Sequence, residues 1–423
     1  MRTLFTPLAL AVLCSLAPPA PAQSAEVAAP AKAMLTLAQA QRLALTHNPE
    51  LAGARLELQA MEAAEQQAGA RPNPELGLLV EDLRSSTRTS TLQWAQPIEL
   101  GGKRAARLAA AASAREQAGV ALLSRQAELR AAVAGAFFEL LGAQQQARLL
   151  QASLDVARNA TSVAAKRLQA GKVPPLEQAK AQVAEAAVRA ELAQAQSDLL
   201  LARQRLAALW GPGQLAHAYE QADGDAQTLP EPPSEQRLGE LLSRAPAIRL
   251  AQLEIARRQA LAAGERAKRV PDLTLTLGAR RAAEQGRTQA VLGLAIPLPI
   301  MDSNQGHLLE ALRREDQARE ALSATSARLQ TELSQALEKL RLSRQQVQML
   351  RSELLPTAQA AHDAAVKGYE LGKFAFLDVL DAQRTLFQAQ QQILRGTADA
   401  WRAAAELERL LGQDPSQAQQ SQE

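Results

Sequence analysis

An internal duplication constrains the fold of this chain more than any other feature of its sequence. Short anchors recur in the same order about 200 residues later in the 423-residue chain. A long repeat period of this kind is typical of one structural unit that is used twice. The paired anchors are Asn48-Pro49 with Ala245-Pro246, Pro74-Glu75-Leu76 with Pro271-Asp272-Leu273, Gln96-Pro97-Ile98 with Ile296-Pro297-Leu298, Gly171-Lys172 with Gly372-Lys373, Leu176-Glu177 with Leu377-Asp378, and Trp210-Gly211 with Leu411-Gly412.

The duplication predicts two repeats joined by a linker. Repeat 1 covers residues 34–210 and repeat 2 covers residues 234–411. In each repeat the sequence predicts short helices, followed by a β-hairpin and then a long helical hairpin. The β-hairpins are expected at about 74–100 and 271–300, and the helical hairpins at about 102–210 and 304–411. The Pro-rich linker, residues 211–233, is expected to form an equatorial region, and the Gln- and Ser-rich tail, residues 412–423, is expected to be disordered.

The helical runs are too long for an ordinary globular domain. A run of about 68 residues at 1.5 Å each spans about 100 Å. Hydrophobic residues make up 47% of the chain but aromatic residues only 3%, which is typical of long helices and coiled coils. Heptad spacing in the returning helix predicts a coiled-coil seam, and a merely Ala-rich amphipathic helix is the alternative. The two seam rows are Leu176, Val183, Ala190 and Ser197, and Ala179, Ala186, Ala193, Leu200 and Ala207.

The first residues predict that the chain is exported. One basic residue, an apolar stretch and small residues near Ala22 are typical of a signal peptide, residues 1–22. Lipidation of Cys14 is the alternative, and it is disfavoured because Leu13 occupies a position where small residues are usual. After these residues the sequence contains no apolar run of about 20 residues, which is the length that a transmembrane helix needs. Any membrane-spanning segment is therefore expected to be a β-strand. The formal net charge of +3 and the lack of a basic stripe with interleaved aromatic residues do not favour nucleic acid as a partner.

The four strand-like runs alternate apolar and polar residues, as transmembrane strands do. In the second run Leu92, Trp94 and Ile98 share one face, and Trp94 is expected at a membrane interface. Four strands of a soluble sheet are the alternative. In lipid, however, an open four-stranded sheet would leave backbone groups unpaired. We therefore expect several chains to share a β-barrel, and a passage requires at least three chains, or twelve strands.

The order of elements, given twice, resembles the TolC-type outer-membrane factors of tripartite efflux systems over about residues 34–411. The segment QPIELGGKR, Gln96–Arg104, is similar to one typical of the cobalt–zinc–cadmium subfamily. The segment Pro297–Gly306 resembles the family's second strand-to-helix motif. The segments Gly171–Glu177 and Gly372–Gln383 resemble its two tip motifs.

The resemblance implies an α plus transmembrane-β fold with long antiparallel coiled-coil helices. It implies a homotrimer, with a twelve-stranded barrel in the outer membrane of a Gram-negative bacterium and an α-helical tunnel in the periplasm. The implied partners are outer-membrane lipid, a periplasmic adaptor (membrane fusion) protein and an inner-membrane pump of the resistance–nodulation–division (RND) class. The implied function is a passive exit channel for heavy-metal cations. Export of drugs or secreted polypeptides by the same fold is an alternative, and a periplasmic coiled-coil adaptor or scaffold is a second one.

Candidate functional residues fall at the tips of the helical hairpins. Asp378 and Asp381 share one helix face, and with Glu177 they are candidates for the periplasmic aperture. The alternative is that carboxylates near a helix N-terminus favour the helix dipole. Gly171 and Gly372 are expected to end their helices in a left-handed conformation. The adaptor-docking tips are predicted at Gly171, Lys172, Gly372 and Lys373.

A second group of candidates lies where the strands meet the long helices, and we call this region the joint. It comprises Pro97, Gly101, Gly102, Lys103, Arg104 and Gly306. Gly101 and Gly102 supply the backbone freedom that a chain needs to leave a strand and enter a helix without a loop. Lys103, Arg104 and Arg107 oppose the dipole of the helix that follows, so they are interpreted as contacts for lipid phosphates.

The sequence lacks recognisable catalytic and metal-binding motifs. The four histidines do not share a ligand spacing with one another or with a carboxylate cluster, so neither a metal site nor a cofactor is expected. No G-x-S-x-G, P-loop or G-x-G-x-x-G motif occurs. The sequence therefore predicts a protein that is not an enzyme.

Overall fold

The computed structural model describes residues 34–82, 84–211, 221–224, 228–371 and 373–412. The predicted signal peptide, residues 1–22, and the predicted disordered tail beyond Gly412 lie outside the described residues. Gly372, one of the predicted tip residues, and much of the predicted linker lie outside them as well.

The two repeats contain the same kinds of element in the same order. Repeat 1 comprises β1 (Met34–Leu35), α1 (Leu37–His47), α2 (Pro49–Ala68), β2 (Glu75–Glu81), β3 (Thr89–Ile98), α3 (Lys103–Gln169) and α4 (Pro175–Ala208). Strand β4 (Gln221–Ala222) follows in the linker. Repeat 2 comprises α5 (Glu235–Arg244), α6 (Pro246–Lys268), β5 (Leu273–Ala282), β6 (Arg287–Ala295), α7 (Gln305–Met349), a π-helical segment (Leu350–Leu354), α8 (Leu355–Glu370) and α9 (Phe376–Leu411). The predicted duplicated order of long helices and β-hairpins is confirmed.

Several of the duplicated anchors meet in space. The Asn48 side chain caps α2 by accepting from Leu51 N, and its Nδ2 donates to Leu209 O at the end of α4. A Cβ added to Gly211 would lie 3.1 Å from Pro49 Cδ. In repeat 2, a Cβ added to Gly412 would lie 2.7 Å from Pro246 Cδ. The end of each helical hairpin therefore packs on the proline that begins the second helix of the same repeat.

The four longer strands form one antiparallel sheet in the order β2–β3–β5–β6. The register pairs Leu76 with Trp94, and Trp94 with Leu277. Side chains alternate between the two faces of a strand. One face of the sheet is therefore mostly apolar, and the other carries most of the Thr and Gly residues and most of the charged residues. The apolar face consists of Leu76, Leu78, Val80, Ser90, Leu92, Trp94, Gln96, Ile98, Leu273, Leu275, Leu277, Ala279, Arg281, Thr288, Ala290, Leu292 and Leu294. We call this face the outer face of the sheet.

Helix α3, the longest in the described ranges, packs against helices of both repeats. Its 67 residues contact α2, α4, α6 and α9, which brings the two repeats together along most of its length. Phe138 of α3 stacks on Trp401 of α9, with ring centroids 4.3 Å apart. Trp401 Nε1 also donates to Thr228 O, so the linker is held against the helices. Strands β1 and β4 form a separate parallel pair, which the sequence patterns did not indicate because each strand has only two residues.

The two heptad rows predicted in α4 do not pack against α3 within one chain. Their residues are exposed within the chain except for Ala207, and the exposed fraction is 62% for Leu176 and 70% for Val183. The residues of α4 that are buried instead are Ala181, Leu192, Ala195, Ala202 and Leu206. Both sets recur at heptad-like intervals because α4 is rich in Ala and Leu. The spacing alone therefore does not show which set faces α3.

The helix predicted at about 304–371 is interrupted at Leu350–Leu354, where the backbone forms a π-helical turn. Pro356 follows within two residues. A proline lacks the backbone N–H and its ring clashes with the carbonyl four residues earlier, which here belongs to Ser352. A widened turn at this point is a common way to accommodate such a residue. The helices in the described ranges include none that is both long enough and apolar enough to cross a membrane.

Candidate functional site at the joint and the hairpin tips

The joint turns the chain from β3 into α3 within four residues, 99–102. Gly101 and Gly102 have φ angles of 71° and 82°, and α3 begins at the next residue. Both angles lie in the left-handed region that glycine adopts readily. Gly101 is also packed closely, because an added Cβ would lie 2.7 Å from Val270 Cβ and 2.8 Å from Ala267 O. Gly102 has open space in the same position.

Repeat 2 makes the equivalent turn with a different residue. Asn304, with φ of 57°, precedes the first residue of α7. Gly306, which the sequence analysis assigned to the joint, lies inside the first turn of α7 with open space around it. Asn tolerates the left-handed region better than other residues with a side chain. The Ser303-Asn304 dipeptide is the sequence feature that could have predicted this turn. The turn was assigned to Gly306 instead.

The joint also ties the two repeats together. Lys103 Nζ lies 2.7 Å from Asp272 Oδ1, and the backbone N–H of Leu100 donates to the same oxygen at 3.0 Å. Asp272 immediately precedes β5. One carboxylate of repeat 2 thus holds both the end of β3 and the start of α3.

Arg104 and Arg107 have protein partners at the end of α2. Arg104 Nε donates to Gly69 O at 2.6 Å, and Arg107 donates to Ala68 O and Ala70 O. The last carbonyls of a helix lack intrahelical partners and carry partial negative charge. These cations therefore satisfy the C-terminus of α2, which explains why they occur where their own helix does not favour them. The lipid-phosphate interpretation is not needed to account for them.

The second repeat satisfies the matching helix end with an amide. Asn304 Nδ2 donates to Glu265 O at 2.9 Å and to Glu265 Oε2 at 2.7 Å, near the end of α6. In both repeats the residues that begin the long helix therefore bind carbonyls at the end of the helix before the β-hairpin. Their chemistry differs, since repeat 1 uses two guanidinium groups and repeat 2 uses one side-chain amide.

The contacts at the joint shift the pKa values of their carboxyl groups. The hydrogen bond from Arg107 lowers the pKa of Glu99 despite partial burial, and it raises the pKa of Arg107. Burial raises the pKa of Asp272, but the hydrogen bonds from Lys103 and from Leu100 N–H outweigh it and leave the pKa lowered. Groups with a lowered folded-state pKa stabilise the fold above about pH 4, and this contribution is lost as the pH falls through the lowered values.

The tip of repeat 1 is a tight, exposed turn. Gly171 has φ of 67°, and its N–H donates to Leu168 O. Lys172 donates from its backbone N–H to Arg167 O, and its side chain is exposed, as is that of Glu177 in the first turn of α4. The tip of repeat 2 includes Lys373, whose N–H donates to Gly368 O.

The two tips are in contact near their ends. The Arg167 guanidinium lies 4.7 Å from the centroid of the Tyr369 ring, a distance typical of a cation–π interaction. Arg167 is in the last turn of α3 and Tyr369 is near the end of α8. This contact could not be predicted from the sequence, because no local pattern links residues about 200 positions apart.

The two aspartates after the second tip have different environments. Asp378 Oδ2 accepts from Ala375 N at 2.9 Å, which is the arrangement of a residue that caps its helix. Asp381 lies one turn later and is exposed. Within the described ranges its carboxylate has no ion pair or hydrogen bond. It borders an open groove of about 600 Å³ between α3, α4 and α9, together with Arg384 and Glu191.

The remaining predicted site residues lie in the sheet. Pro97 pairs with Thr274 near the end of β3, and its carbonyl accepts from Gln96 Nε2. Trp94 lies midway along the outer face of β3, four residues from Ser90 and four from Ile98. Its position is therefore not at an end of the strand, where an interfacial residue is expected. No group of three or more His, Cys, Asp or Glu side chains in the described ranges is arranged to hold a metal ion.

Comparisons with known proteins give a consistent result. The family model described as "Outer membrane efflux protein" matches residues 40–212 and 238–413. The chain is 43% identical to the cobalt-zinc-cadmium resistance protein CzcC of Cupriavidus metallidurans, over 97% of this chain and 100% of that protein. It is 29% identical to the pyoverdine export outer membrane protein OpmQ of Pseudomonas aeruginosa, over 67% of this chain and 61% of that protein. Its fold is similar to that of the Campylobacter jejuni CmeC outer membrane channel, with a TM-score of 0.76, 16% identity and coverage of 91% and 88% of the two chains.

The two glycines of the joint predict unequal effects of substitution. Gly101→Ala and Gly102→Ala both place a Cβ in the left-handed region, at a shared cost of about 1–2 kcal/mol. Only at Gly101 does the new Cβ overlap Val270 and Ala267. Overpacking of this kind costs a further amount of about 1–3 kcal/mol. We expect the thermal midpoint of purified Gly101→Ala in detergent to lie a few degrees below that of Gly102→Ala. Equal midpoints would contradict the close packing at the joint.

Proposed function

The chain belongs to the outer membrane efflux protein family, and from this premise we propose that it is the exit channel of a tripartite RND-type efflux system for heavy-metal cations. The observation that carries the cargo assignment is the 43% identity to a cobalt-zinc-cadmium resistance protein over its whole length. The lower identity to a pyoverdine export protein, over about two thirds of the chain, supports the same choice. The channel is passive, so energy and the chemical selection of cargo come from the partners.

The open sheet supports a channel that several copies build together. Strands β2 and β6 each have a neighbour on one side only, so each leaves a row of backbone N–H and C=O groups unpaired. Such groups need partners in a membrane, where no water replaces them. Pairing β6 of one copy with β2 of the next closes the sheet. Three copies of four strands give the twelve strands that a passage requires.

The exposed face of α4 supports the same assembly in the periplasm. Leu176, Val183 and Leu200 are exposed although they are apolar, and small alanines lie between them. Small residues let helices approach closely, and rows at heptad spacing pack against a second helix. The row that does not contact α3 is thus suited to contact another copy of the chain.

The tips and the first turn after the second tip are proposed as the periplasmic end of the channel. Lys172 and Lys373 project at the turns and suit docking of a periplasmic adaptor, at tips that include Gly171 and Gly372. Asp378, Asp381 and Glu177 are proposed to line the aperture. In a trimer the two aspartates supply six carboxylates, and a ring of carboxylates favours cations.

The cargo is tested by plating a deletion strain on cobalt, zinc, cadmium, copper, silver and a set of drugs. We expect sensitivity to one or more of the metals, and restoration of growth when the wild-type gene is returned on a plasmid. The empty plasmid is the control for the restored growth. Sensitivity to drugs alone would overturn the metal assignment while leaving the channel assignment in place.

Adaptor docking is tested by cysteine cross-linking in the cell envelope, because removal of the predicted signal peptide would leave no native cysteine. Lys172→Cys and Lys373→Cys are expected to capture the adaptor. Val183→Cys, on the exposed row of α4, is the matched mid-helix control and is expected to capture a second copy of this chain. Capture of the adaptor only from Val183→Cys would contradict docking at the tips.

The aperture is tested by single-channel recording in planar bilayers. We expect Asp381→Asn to reduce the preference for cations severalfold, because this carboxylate is exposed and has no other role in the described ranges. Asp378 also accepts a hydrogen bond from Ala375 N at the start of α9, so a change there affects the helix terminus as well, and Asp381→Asn is the more informative substitution. Asp399→Asn, farther along α9 and paired with Arg402, is the control. Equal selectivity of the Asp381 and Asp399 variants would refute the aperture assignment.

A further inference from the structure

The outer face of the sheet carries a single ionisable side chain, and it lies at one end. That residue is Arg281, near the end of β5 and next to the loop that follows. The other residues of the outer face are apolar or uncharged, and most of the aliphatic ones are exposed, with Leu78 at 70% and Leu292 at 76%. A charged residue on a face of this kind marks a functional site more often than an accident of sequence.

The register surrounds Arg281 with hydroxyl groups. Ser90 of β3 and Thr288 of β6 are its direct neighbours on the two adjacent strands. Side chains in such directly opposed positions have Cβ atoms about 4.5–5.5 Å apart. In the described part of the chain, the side chains of Ser90, Arg281 and Thr288 make no hydrogen bond or ion pair. The row thus presents one guanidinium between two hydroxyl groups, all without protein partners.

The adjacent arginine provides a contrast. Arg280 lies on the opposite face of the same strand, and its Nη2 is 3.8 Å from Glu81 Oε2. Its charge is therefore balanced within the sheet. Arg281 has no such acidic neighbour in its row, since the fourth member is Val80. The two consecutive arginines therefore have different requirements for a partner.

The position of the row matches the edge of a membrane. From Ser90 to the end of β3 at Ile98, eight residues at about 3.3 Å each cover about 26 Å along the strand. With a tilt of about 40°, this corresponds to about 20 Å of depth, slightly less than the height of about 25 Å of the apolar band of an outer-membrane barrel. A long arginine side chain extends from such a position to the polar side of the boundary. The joint lies at the Leu100 end and leads into the periplasmic helices. On the proposed function, the row of Arg281 therefore lies at the height of the headgroups of the outward leaflet.

We propose that Arg281, with Ser90 and Thr288, binds a phosphate group of a phosphorylated glycolipid in the outward leaflet. A guanidinium binds phosphate through two parallel N–H donors, and the flanking hydroxyl groups supply further donors. The apolar side chains below the row pack against the acyl chains of the same lipid. This contact fixes the depth of the sheet in the membrane, and the inference rests on the proposed location of the sheet.

The test is a binding titration on the full-length protein extracted from the outer membrane and held in detergent. Bisphosphorylated lipid A in mixed micelles is the probe, and its dephosphorylated form is the matched lipid control. We expect Arg281→Gln to weaken binding of lipid A about tenfold, because a charge-assisted hydrogen-bonding pair is lost. Arg280→Gln, one residue away on the opposite face, is expected to bind as the wild type does. The dephosphorylated lipid is expected to bind the wild type and Arg281→Gln equally weakly.

Equal affinities of the Arg280 and Arg281 variants, or of the two lipids for the wild type, would overturn the inference. Displacement of lipid A by millimolar inorganic phosphate would overturn the assignment to a lipid and indicate a site for free phosphate. Circular dichroism and migration on gels establish that both variants remain folded. The titration uses no cargo, so it is independent of the plating result. Absence of the protein from the outer membrane would instead refute the proposed function.

Discussion

The structure depends on a tight turn of four residues, 99–102, between the end of β3 and the start of α3. At the joint the chain ends β3, reverses its backbone conformation at two residues and starts a helix of 67 residues. Two positive φ angles in succession require glycine, and the close approach of Val270 requires the absence of a side chain at Gly101. The direction of α3 relative to the sheet is set here. Because α2, α4, α6 and α9 pack against α3, an error at this turn would be carried through about 100 Å of helix.

The duplicated contacts show how two similar halves produce one asymmetric chain. In each repeat, residues at the start of the long helix donate to carbonyl groups at the end of the helix before the β-hairpin. These carbonyls have no partner within their own helix, so the long helix supplies the missing donors. Repeat 1 does this with Arg104 and Arg107, and repeat 2 with Asn304. The Arg107 guanidinium also binds Glu99, and Lys103 reaches across to Asp272 of the other repeat. The first joint is therefore a charged network that connects the two repeats, whereas the contact of Asn304 with Glu265 lies within repeat 2.

The sequence was informative where local chemistry decides the structure. Asn48 before Pro49, the two glycines of the joint and the alternation of the strands each predict their local structure, because caps, positive φ angles and pleats depend on neighbouring residues. It was uninformative where the partner is distant. The heptads of α4 fit two rows equally well, and only packing against α3 selects the row of Ala181 and Leu206. The basic residues after Gly102 looked unfavourable because their partners, the carbonyls at the end of α2, lie more than 30 residues away.

The same reasoning indicates where selection of cargo takes place in the proposed channel. Conduction requires that cargo leaves as readily as it enters, so a passive exit channel gains nothing from a tight site along its length. Selection then belongs to the partners, and this chain contributes to it through the surfaces that choose those partners. The two tips differ in these surfaces. The first begins its returning helix with Pro174-Pro175, which fixes the backbone, whereas the second places Phe374 against Gly368. In the proposed trimer, two kinds of tip would therefore alternate, and the proposed adaptor would have to match both.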